Sequence, residues 1–155
     1  MKQINHKKRL KGFLKKKKMK STLERFEILD ALLNLGCIHG KEKDCIKHFN
    51  ADDILKAAHE ISSPVSISTI YRFIPILVDA EIIREIGKLS GKTIYELILN
   101  EPHHDHLLCS KCGKIIEFFS PELERIQNKV CRTKFFLPST HSLCIKGLCK
   151  DCRQS

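Results

Sequence analysis

Two CxxC motifs in the carboxyl-terminal third constrain the fold of this chain more than any other feature. Cys109 and Cys112 form the first motif, Cys149 and Cys152 form the second, and 36 residues separate the two motifs. Each motif places two thiolates on one tight turn, and four thiolates complete the closed tetrahedral site that zinc prefers. A single CxxC can be a redox pair, but two motifs favour a structural zinc ion, worth on the order of 10 kcal/mol to a small domain. We expect the elements of this region to be a strand at Lys114–Phe119, a helix from Pro121 to about Thr133 and a strand at His141–Gly147.

The predicted compartment agrees with metal binding by reduced cysteines. The sequence has 155 residues, of which 42% are hydrophobic, and no apolar run approaches the roughly 18 residues of a membrane span. The basic amino terminus is not followed by the apolar segment of a secretory signal peptide. We therefore expect a cytoplasmic protein without a membrane partner, in which the cysteines stay reduced.

The positive charge is concentrated at the amino terminus. Residues 1–20 hold ten Lys or Arg and no Asp or Glu, whereas the other 135 residues hold eighteen basic and eighteen acidic side chains. Because these charges repel one another, residues 1–20 are expected to form a solvated arm that does not pack. Such an arm can bind nucleic acid by releasing counterions, or it can be a tail without a partner. Charge alone does not distinguish the two.

Residues 21–97 have the pattern of a winged helix-turn-helix domain. Apolar residues recur at helical spacing in three segments, and each segment begins with a residue that caps helices. Two strand-like runs follow, joined by a turn that contains glycine, and they predict a hairpin. The three helices are expected to begin near Ser21, Asn50 and Ser66, and the hairpin strands to span Ile82–Ile86 and Thr93–Leu97.

The polar side of the third helix is the predicted DNA-reading surface. At 100° per residue, Ser68, Thr69 and Arg72 lie opposite the apolar face, and Tyr71 lies at its border. An arginine can make two hydrogen bonds to guanine, and an aromatic ring or a threonine methyl can pack on a thymine methyl. An ordinary surface helix shows the same pattern. The basic residues 1–20 and the hairpin-tip lysines Lys88 and Lys92 are the features that favour DNA binding.

Four ligand-type residues precede the first CxxC motif, in the run His103-His104-Asp105-His106. In an extended strand, His104 and His106 point to one face, and His103 and Asp105 point to the other. One strand can therefore serve two metal sites, although a solvated polar loop is the alternative. Imidazole and carboxylate ligands suit Fe(II), Mn(II) or Zn(II), and the ligand types do not choose among these ions.

These motifs together resemble the ferric uptake regulator family over roughly residues 20–152. The resemblance rests on Ser68-Thr69-Ile70-Tyr71-Arg72, on the segment 103–118 and on His141-Ser142 before the second CxxC motif. It implies an α+β protein with a winged helix-turn-helix domain at 21–97 and an α/β dimerisation domain with a four-cysteine zinc site at 98–155. It also implies a homodimeric, metal-dependent repressor that binds a palindromic operator in double-stranded DNA and is not an enzyme.

The resemblance assigns roles to individual residues, residue by residue. The structural zinc would be bound by Cys109, Cys112, Cys149 and Cys152. The regulatory metal would be bound at the hinge between the domains by His48, Glu96, His104 and His106, with Glu117 as a fifth ligand. A second site within the dimerisation domain would be formed by His103, Asp105, Glu124 and His141. DNA would be contacted by Tyr71 and Arg72 in the major groove and by Lys20 at the minor groove.

The sensed signal remains open at this point. Peroxide-sensing members of the family tend to have Asp where this chain has Glu117, and zinc-sensing members often use Cys in the regulatory site. The resemblance therefore favours Fe(II) as the regulatory ion, with a peroxide sensor or a zinc or manganese sensor as the alternative. A hypothesis of another class is a zinc-ribbon metal carrier or metalloenzyme, which would need an open metal position beside a general acid or base. The loop Cys37–Cys45 looks longer than usual for the family, and its cysteines are either an extra metal site or ordinary loop thiols.

Overall fold

A computed structural model describes residues 5–37, 48–61, 64–98 and 102–154 of the chain. The chain divides into two compact units, Met1–Glu101 and Pro102–Ser155. No helix in the described ranges is both long and apolar enough to cross a bilayer. The loop that carries Cys45, for which an extra metal site was one of two interpretations, lies outside the described residues.

In its described residues, the first unit combines four helices with a three-stranded sheet. The strand order is β1-β3-β2, and both neighbours of β3 run antiparallel to it. The core lies between the helices and the sheet, with Ile54, Ile70 and Ile82 completely buried. The elements are α1 (His6–Lys16), α2 (Leu23–Cys37), β1 (His48–Phe49), α3 (Ala51–Glu60), α4 (Ile67–Asp79), β2 (Ile83–Leu89) and β3 (Lys92–Leu97).

The caps predicted for α3 and α4 are present. Asn50 accepts hydrogen bonds from the backbone N–H groups of Asp52 and Asp53, and the Asp53 carboxylate accepts one from the Asn50 N–H in return. Ser66 caps α4 by accepting a hydrogen bond from the Thr69 N–H. These bonds satisfy backbone donors that a helix leaves unpaired at its start, so the sequence locates both starts correctly.

Residues 5–20, the part of the basic segment that the structure describes, do not form the solvated arm that their charge predicted. Helix α1 lies wholly in this segment and packs its apolar side into the core of the first unit, with Leu10 and Leu14 at 0% and 1% exposure. The expectation was wrong because the lysines occupy one side of the helix. Leucines four residues apart form an apolar stripe on the other side, and lysines facing water do not prevent its burial.

The wing hairpin is longer than expected and its turn is tighter. Ser90 and Gly91, with φ of 48° and 79°, form the two-residue turn, whereas a six-residue turn was expected. Positive φ at both central positions is the geometry that matches the twist of a hairpin, and glycine adopts it readily. Gly87 lies within β2 at a break in register after Glu85. The strand β1 was missed, because two residues show no periodicity.

The second unit is a small α/β layer. Its sheet has the order β5-β4-β6, with β4 antiparallel to β5 and parallel to β6. The predicted helix begins at Pro121 after the cap Ser120, as expected, whereas the last strand is shorter than predicted and begins at Cys144. The elements are β4 (Asp105–Cys109), β5 (Ile115–Phe118), α5 (Pro121–Thr133), β6 (Cys144–Gly147) and α6 (Lys150–Arg153).

Candidate metal centres and DNA surface

The four CxxC cysteines converge in the second unit. Their sulfur atoms all lie within 4.8 Å of one another, and Cys112 Sγ is 3.7 Å from Cys149 Sγ. A tetrahedral zinc ion with Zn–S bonds of about 2.3 Å separates its sulfur ligands by about 3.8 Å. The cluster therefore has the donor type and the dimensions for a zinc ion. Its two halves come from the turn after β4 and from the start of α6.

Backbone donors already favour an ionised sulfur in this cluster. Hydrogen bonds from the backbone N–H groups of Cys112 and Cys149 lower the pKa of Cys109 to about 6. A hydrogen bond with the Cys149 side chain is the main cause that raises the pKa of Cys152 to about 12. Zinc binds thiolates, and N–H donors to sulfur are the outer contacts that orient such ligands. This arrangement suits a metal site.

A second cluster in the same unit joins His103, Asp105, Glu124 and His141, whose ligand atoms lie within 4.8 Å of one another. His103 Nε2 is 3.4 Å from Asp105 Oδ1 and 3.5 Å from Glu124 Oε1. His141 Nε2 is 3.1 Å from Glu124 Oε1. A tetrahedral ion with bonds of about 2.1 Å separates nitrogen and oxygen ligands by about 3.4 Å. The spacing of the four groups therefore fits a divalent ion.

One atom of this cluster lacks the partner that a buried polar group needs. His103 Nε2 is buried and has no hydrogen-bond partner among the residues that the structure describes. A buried, unsatisfied nitrogen destabilises a fold, and a metal ion would remove that penalty. The ligand Asp105 is 1% exposed and accepts a hydrogen bond of 3.1 Å from the Leu143 N–H. This contact fixes the carboxylate as outer contacts of metal ligands do.

In the first unit, the sheet aligns three polar side chains in one row. His48 on β1 and Arg84 on β2 both pair in register with Glu96 on β3. Glu96 Oε2 lies 3.4 Å from His48 Nε2, and Glu96 Oε1 accepts a hydrogen bond from Arg84 Nε. The Glu96 side chain is 3% exposed. His48 and Glu96 thus offer a nitrogen and an oxygen at the separation that a shared ion requires.

In the second unit, the remaining regulatory candidates are His106 on β4, Glu117 on β5 and His104, which directly precedes β4. His106 pairs in register with Glu117, and the ring centroids of His104 and His106 are 5.1 Å apart. His104 Nδ1 donates a hydrogen bond of 3.1 Å to the Pro102 carbonyl, and a contact of this kind orients the ring of a metal-binding histidine. As strand alternation predicts, His103 and Asp105 lie in a different cluster from this pair.

The predicted DNA-reading residues are accessible on α4. Ser68, Tyr71 and Arg72 are exposed, with Tyr71 at 58%. Thr69 is half-buried, and its hydroxyl lies 3.2 Å from that of Ser66, which caps the helix. The predicted minor-groove contact Lys20 is exposed as well.

The two lysines of the wing tip differ in their surroundings. A hydrogen bond and ion pair with Asp52 on α3 raise the pKa of Lys92 and hold that side chain against the protein. Lys88 is exposed. Of the hairpin lysines, Lys88 is therefore the better placed to meet DNA.

A winged helix-turn-helix unit followed by an α/β unit with a four-cysteine cluster and imidazole–carboxylate clusters defines a metal-responsive, DNA-binding transcriptional regulator. The sequence profile of the Ferric uptake regulator family matches residues 16–146. The chain belongs to this family, as its motifs indicated.

Individual relatives agree with the family assignment. The Ferric uptake regulation protein of Neisseria gonorrhoeae is 33% identical over 140 residues, which are 90% of each chain. The structure of the Helicobacter pylori ferric uptake regulator Fur, described as having three functional metal-binding sites, superposes with a TM-score of 0.74 at 28% identity. That match covers 100% of this chain and 99% of the other. The Campylobacter jejuni peroxide stress regulator matches with a TM-score of 0.62 at 26% identity, over 90% of this chain and 96% of its own.

Sequence reasoning missed Arg84, the residue that binds the carboxylate of Glu96. The signal that could have found it is the register of the hairpin. A two-residue turn at Ser90-Gly91 with one bulge in β2 places Arg84 opposite Glu96. A motif search does not reveal such a pair, because the two residues are twelve positions apart in a segment of ordinary composition.

Proposed function

We propose that this chain is an iron-responsive repressor whose regulatory ion is bound jointly by residues of both units. The first unit contributes His48 and Glu96, and the second contributes His104, His106 and Glu117. The observation that carries this proposal is the pairing of His48 with the buried carboxylate of Glu96, with their ligand atoms 3.4 Å apart. The name of the N. gonorrhoeae relative supports Fe(II) as the ion.

The ligand set also supports a sensor over a permanent metal site. Imidazole and carboxylate groups bind divalent ions weakly enough to exchange, whereas four thiolates bind zinc tightly. The bound ion would supply one positive centre that both units share. Because its ligands belong to two units, the ion binds one arrangement of these units far better than others and shifts the population toward it.

The arrangement of the units would control DNA binding through the two-fold symmetry of a dimer. In a two-fold dimer, the arrangement of the units sets the spacing of the two α4 helices, which must match the half-sites of a palindromic operator. The second unit has the surface that a dimer requires. Its α5 exposes Ile126 and Val130 at 59% and 54%, and Phe135 and Leu137 just beyond it are 99% and 92% exposed. Apolar surface of this extent marks an interface, and we assign it to the second copy of the chain.

Zinc at the four-cysteine cluster and a further divalent ion at the His103 cluster complete the proposal. The cysteines provide a closed thiolate site without an open position, which suits a structural ion. The His103 cluster consists of two imidazoles and two carboxylates, which suit Fe(II), Mn(II) or Zn(II). Family membership favours this regulator over a metal carrier or a metalloenzyme.

The test is metal-dependent operator binding by a His104→Ala variant. We expect the variant to lose the increase in affinity that Mn(II), an air-stable substitute for Fe(II), gives the wild-type dimer, while it keeps its zinc. Fluorescence anisotropy with and without Mn(II) measures this, and His59→Ala is the matched control because His59 contacts the Val65 carbonyl instead of a metal cluster. Unchanged Mn(II) dependence in His104→Ala would refute the regulatory assignment.

Peroxide sensing is the second candidate function, and the match to the C. jejuni peroxide stress regulator favours it. In such a sensor, Fe(II) and peroxide would oxidise one of the histidine ligands. Mass spectrometry of the peptide that carries His104 and His106, taken after peroxide treatment of the Fe(II)-loaded protein, separates the two candidates. A gain of one oxygen atom at either histidine supports the peroxide sensor, and unmodified histidines support the iron sensor.

A further inference from the structure

The Glu96 carboxylate has a second partner besides the histidine beside it. Arg84 Nε donates a hydrogen bond to Glu96 Oε1, while the other oxygen, Oε2, faces His48 Nε2 at 3.4 Å. The Glu96 side chain is 3% exposed and that of Arg84 is 34% exposed. A buried carboxylate destabilises a fold unless it is paired and hydrogen-bonded. Arg84 supplies both the charge and the hydrogen bond.

We propose that Arg84 is a positioning residue of the regulatory metal site. It binds Oε1 and thereby fixes the orientation of the carboxylate, so that Oε2 is presented to the ion that His48 shares. The inference rests on the proposed function, because it needs Glu96 and His48 to be ligands of the regulatory ion. It adds a residue that contacts the ligand and not the metal.

The geometry explains why a guanidinium suits this position. The terminal torsion of a glutamate is broad and roughly two-fold, so a free carboxylate would turn between orientations. A planar guanidinium with donors in fixed directions selects one of them, whereas an ammonium group on a flexible stem does not. The β2–β3 register sets the donor directly across from the acceptor. The other oxygen, Glu96 Oε2, then lies 3.4 Å from His48 Nε2. This is about the separation of two ligand atoms that each make a bond of about 2.1 Å to one ion.

Mn(II) titration of the zinc-loaded, full-length protein tests the inference, with free Mn(II) measured by its electron paramagnetic resonance signal. The wild-type titration can show several classes of Mn(II) site. The class that disappears in the His48→Ala variant is assigned to the regulatory site. For that class we expect Arg84→Gln to weaken Mn(II) binding roughly 10–100-fold, the usual cost of losing a contact to a metal ligand. Arg84→Lys should restore part of the loss. The matched control is Arg9→Gln, which breaks the surface ion pair of Arg9 with Glu81 in the same unit.

A double-mutant cycle separates positioning from a general effect on folding. In a Glu96→Gln background there is no carboxylate to orient, so Arg84→Gln should weaken Mn(II) binding by no more than about two-fold. An equal loss in both backgrounds, or Mn(II) affinity of Arg84→Gln equal to that of Arg9→Gln, would overturn the positioning role. If His48→Ala removes no class of site, the proposed regulatory site fails and the role of Arg84 fails with it. If His48→Ala removes a class that Arg84→Gln leaves intact, the role of Arg84 alone fails.

Discussion

The lysines of α1 provide a direct test of how this protein holds DNA. Lys8, Lys11 and Lys15 are exposed, and none has an acidic partner within 4.0 Å in the part of the chain that the structure describes. At 100° per residue they lie within about 60° of one another, on the side away from Leu10. In the same helix, Lys7 is paired with Asp30 at 2.7 Å, and Arg9 is paired with Glu81. The same helix therefore offers both a test set of basic residues without a described acidic partner and a control set whose charges are balanced by carboxylates.

The expected magnitude follows from counterion release. Each phosphate that a lysine neutralises adds about 0.9 to the slope of log K against log salt, so three lysines add about 2.7. At 0.15 M salt each contact is then worth about 5-fold in affinity, and three are worth about 10²-fold. Because the contacts are to phosphate, operator and random DNA should lose affinity to the same extent.

The assay compares two variants by fluorescence anisotropy between 50 and 300 mM salt. The first replaces Lys8, Lys11 and Lys15 with glutamine, and the second replaces Lys7 and Arg9 with glutamine. We expect the first variant to lose about 2.7 from the salt slope and the second to lose less than about 1, since its charges are already balanced by carboxylates. Equal slopes in the wild type and the triple variant would refute the reasoning, and so would a larger loss in the double variant.

Three further predictions concern stability, sequence reading and zinc. Leu14→Ala should lower the free energy of unfolding, measured by urea denaturation, by roughly 2–5 kcal/mol, because Leu14 is 1% exposed in the core. A loss under about 0.5 kcal/mol would mean that α1 does not pack against the core of the first unit. Arg72→Ala should weaken operator binding by roughly 1–3 kcal/mol and random-DNA binding much less, and equal losses would exclude base reading. Cys112→Ser should cost one zinc ion per chain in metal analysis of the purified protein, whereas Cys131→Ser on α5 should keep it; full zinc content in Cys112→Ser would contradict the four-cysteine site.

Local patterns predicted those parts of the fold that neighbouring residues decide. Asn50 and Ser66 were identified as helix caps because a cap bonds to backbone groups two or three positions away. The turn Ser90-Gly91 escaped prediction in its exact form, since the length of the strands depends on how far β2 and β3 pair. The charge of residues 1–20 predicted a solvated arm, yet α1 packs into the core. Water and salt screen the repulsion among its exposed lysines, and the burial of apolar residues on the opposite face outweighs what remains.

The candidate sites also combine features that local sequence specifies with features that only tertiary packing specifies. The CxxC spacing and the alternation of residues 103–106 specify ligand types and faces, because a turn and an extended strand impose these geometries on any sequence. Glu124 and His141 entered the second cluster through the resemblance alone, and the distances of 3.1 to 3.5 Å depend on tertiary structure, which brings Glu124 of α5 and His141 close to His103 and Asp105.

The sequence by itself determined which residues are chemically able to bind metal and DNA, since residue type and short-range spacing are local properties. The tertiary structure decided that His48, Arg84 and Glu96 form one row across three strands and that α1 belongs to the core of the first unit. Both features join residues that lie between twelve and several tens of positions apart in the sequence. Their contacts depend on strand register and on the burial of distant apolar side chains, and no local pattern specifies either.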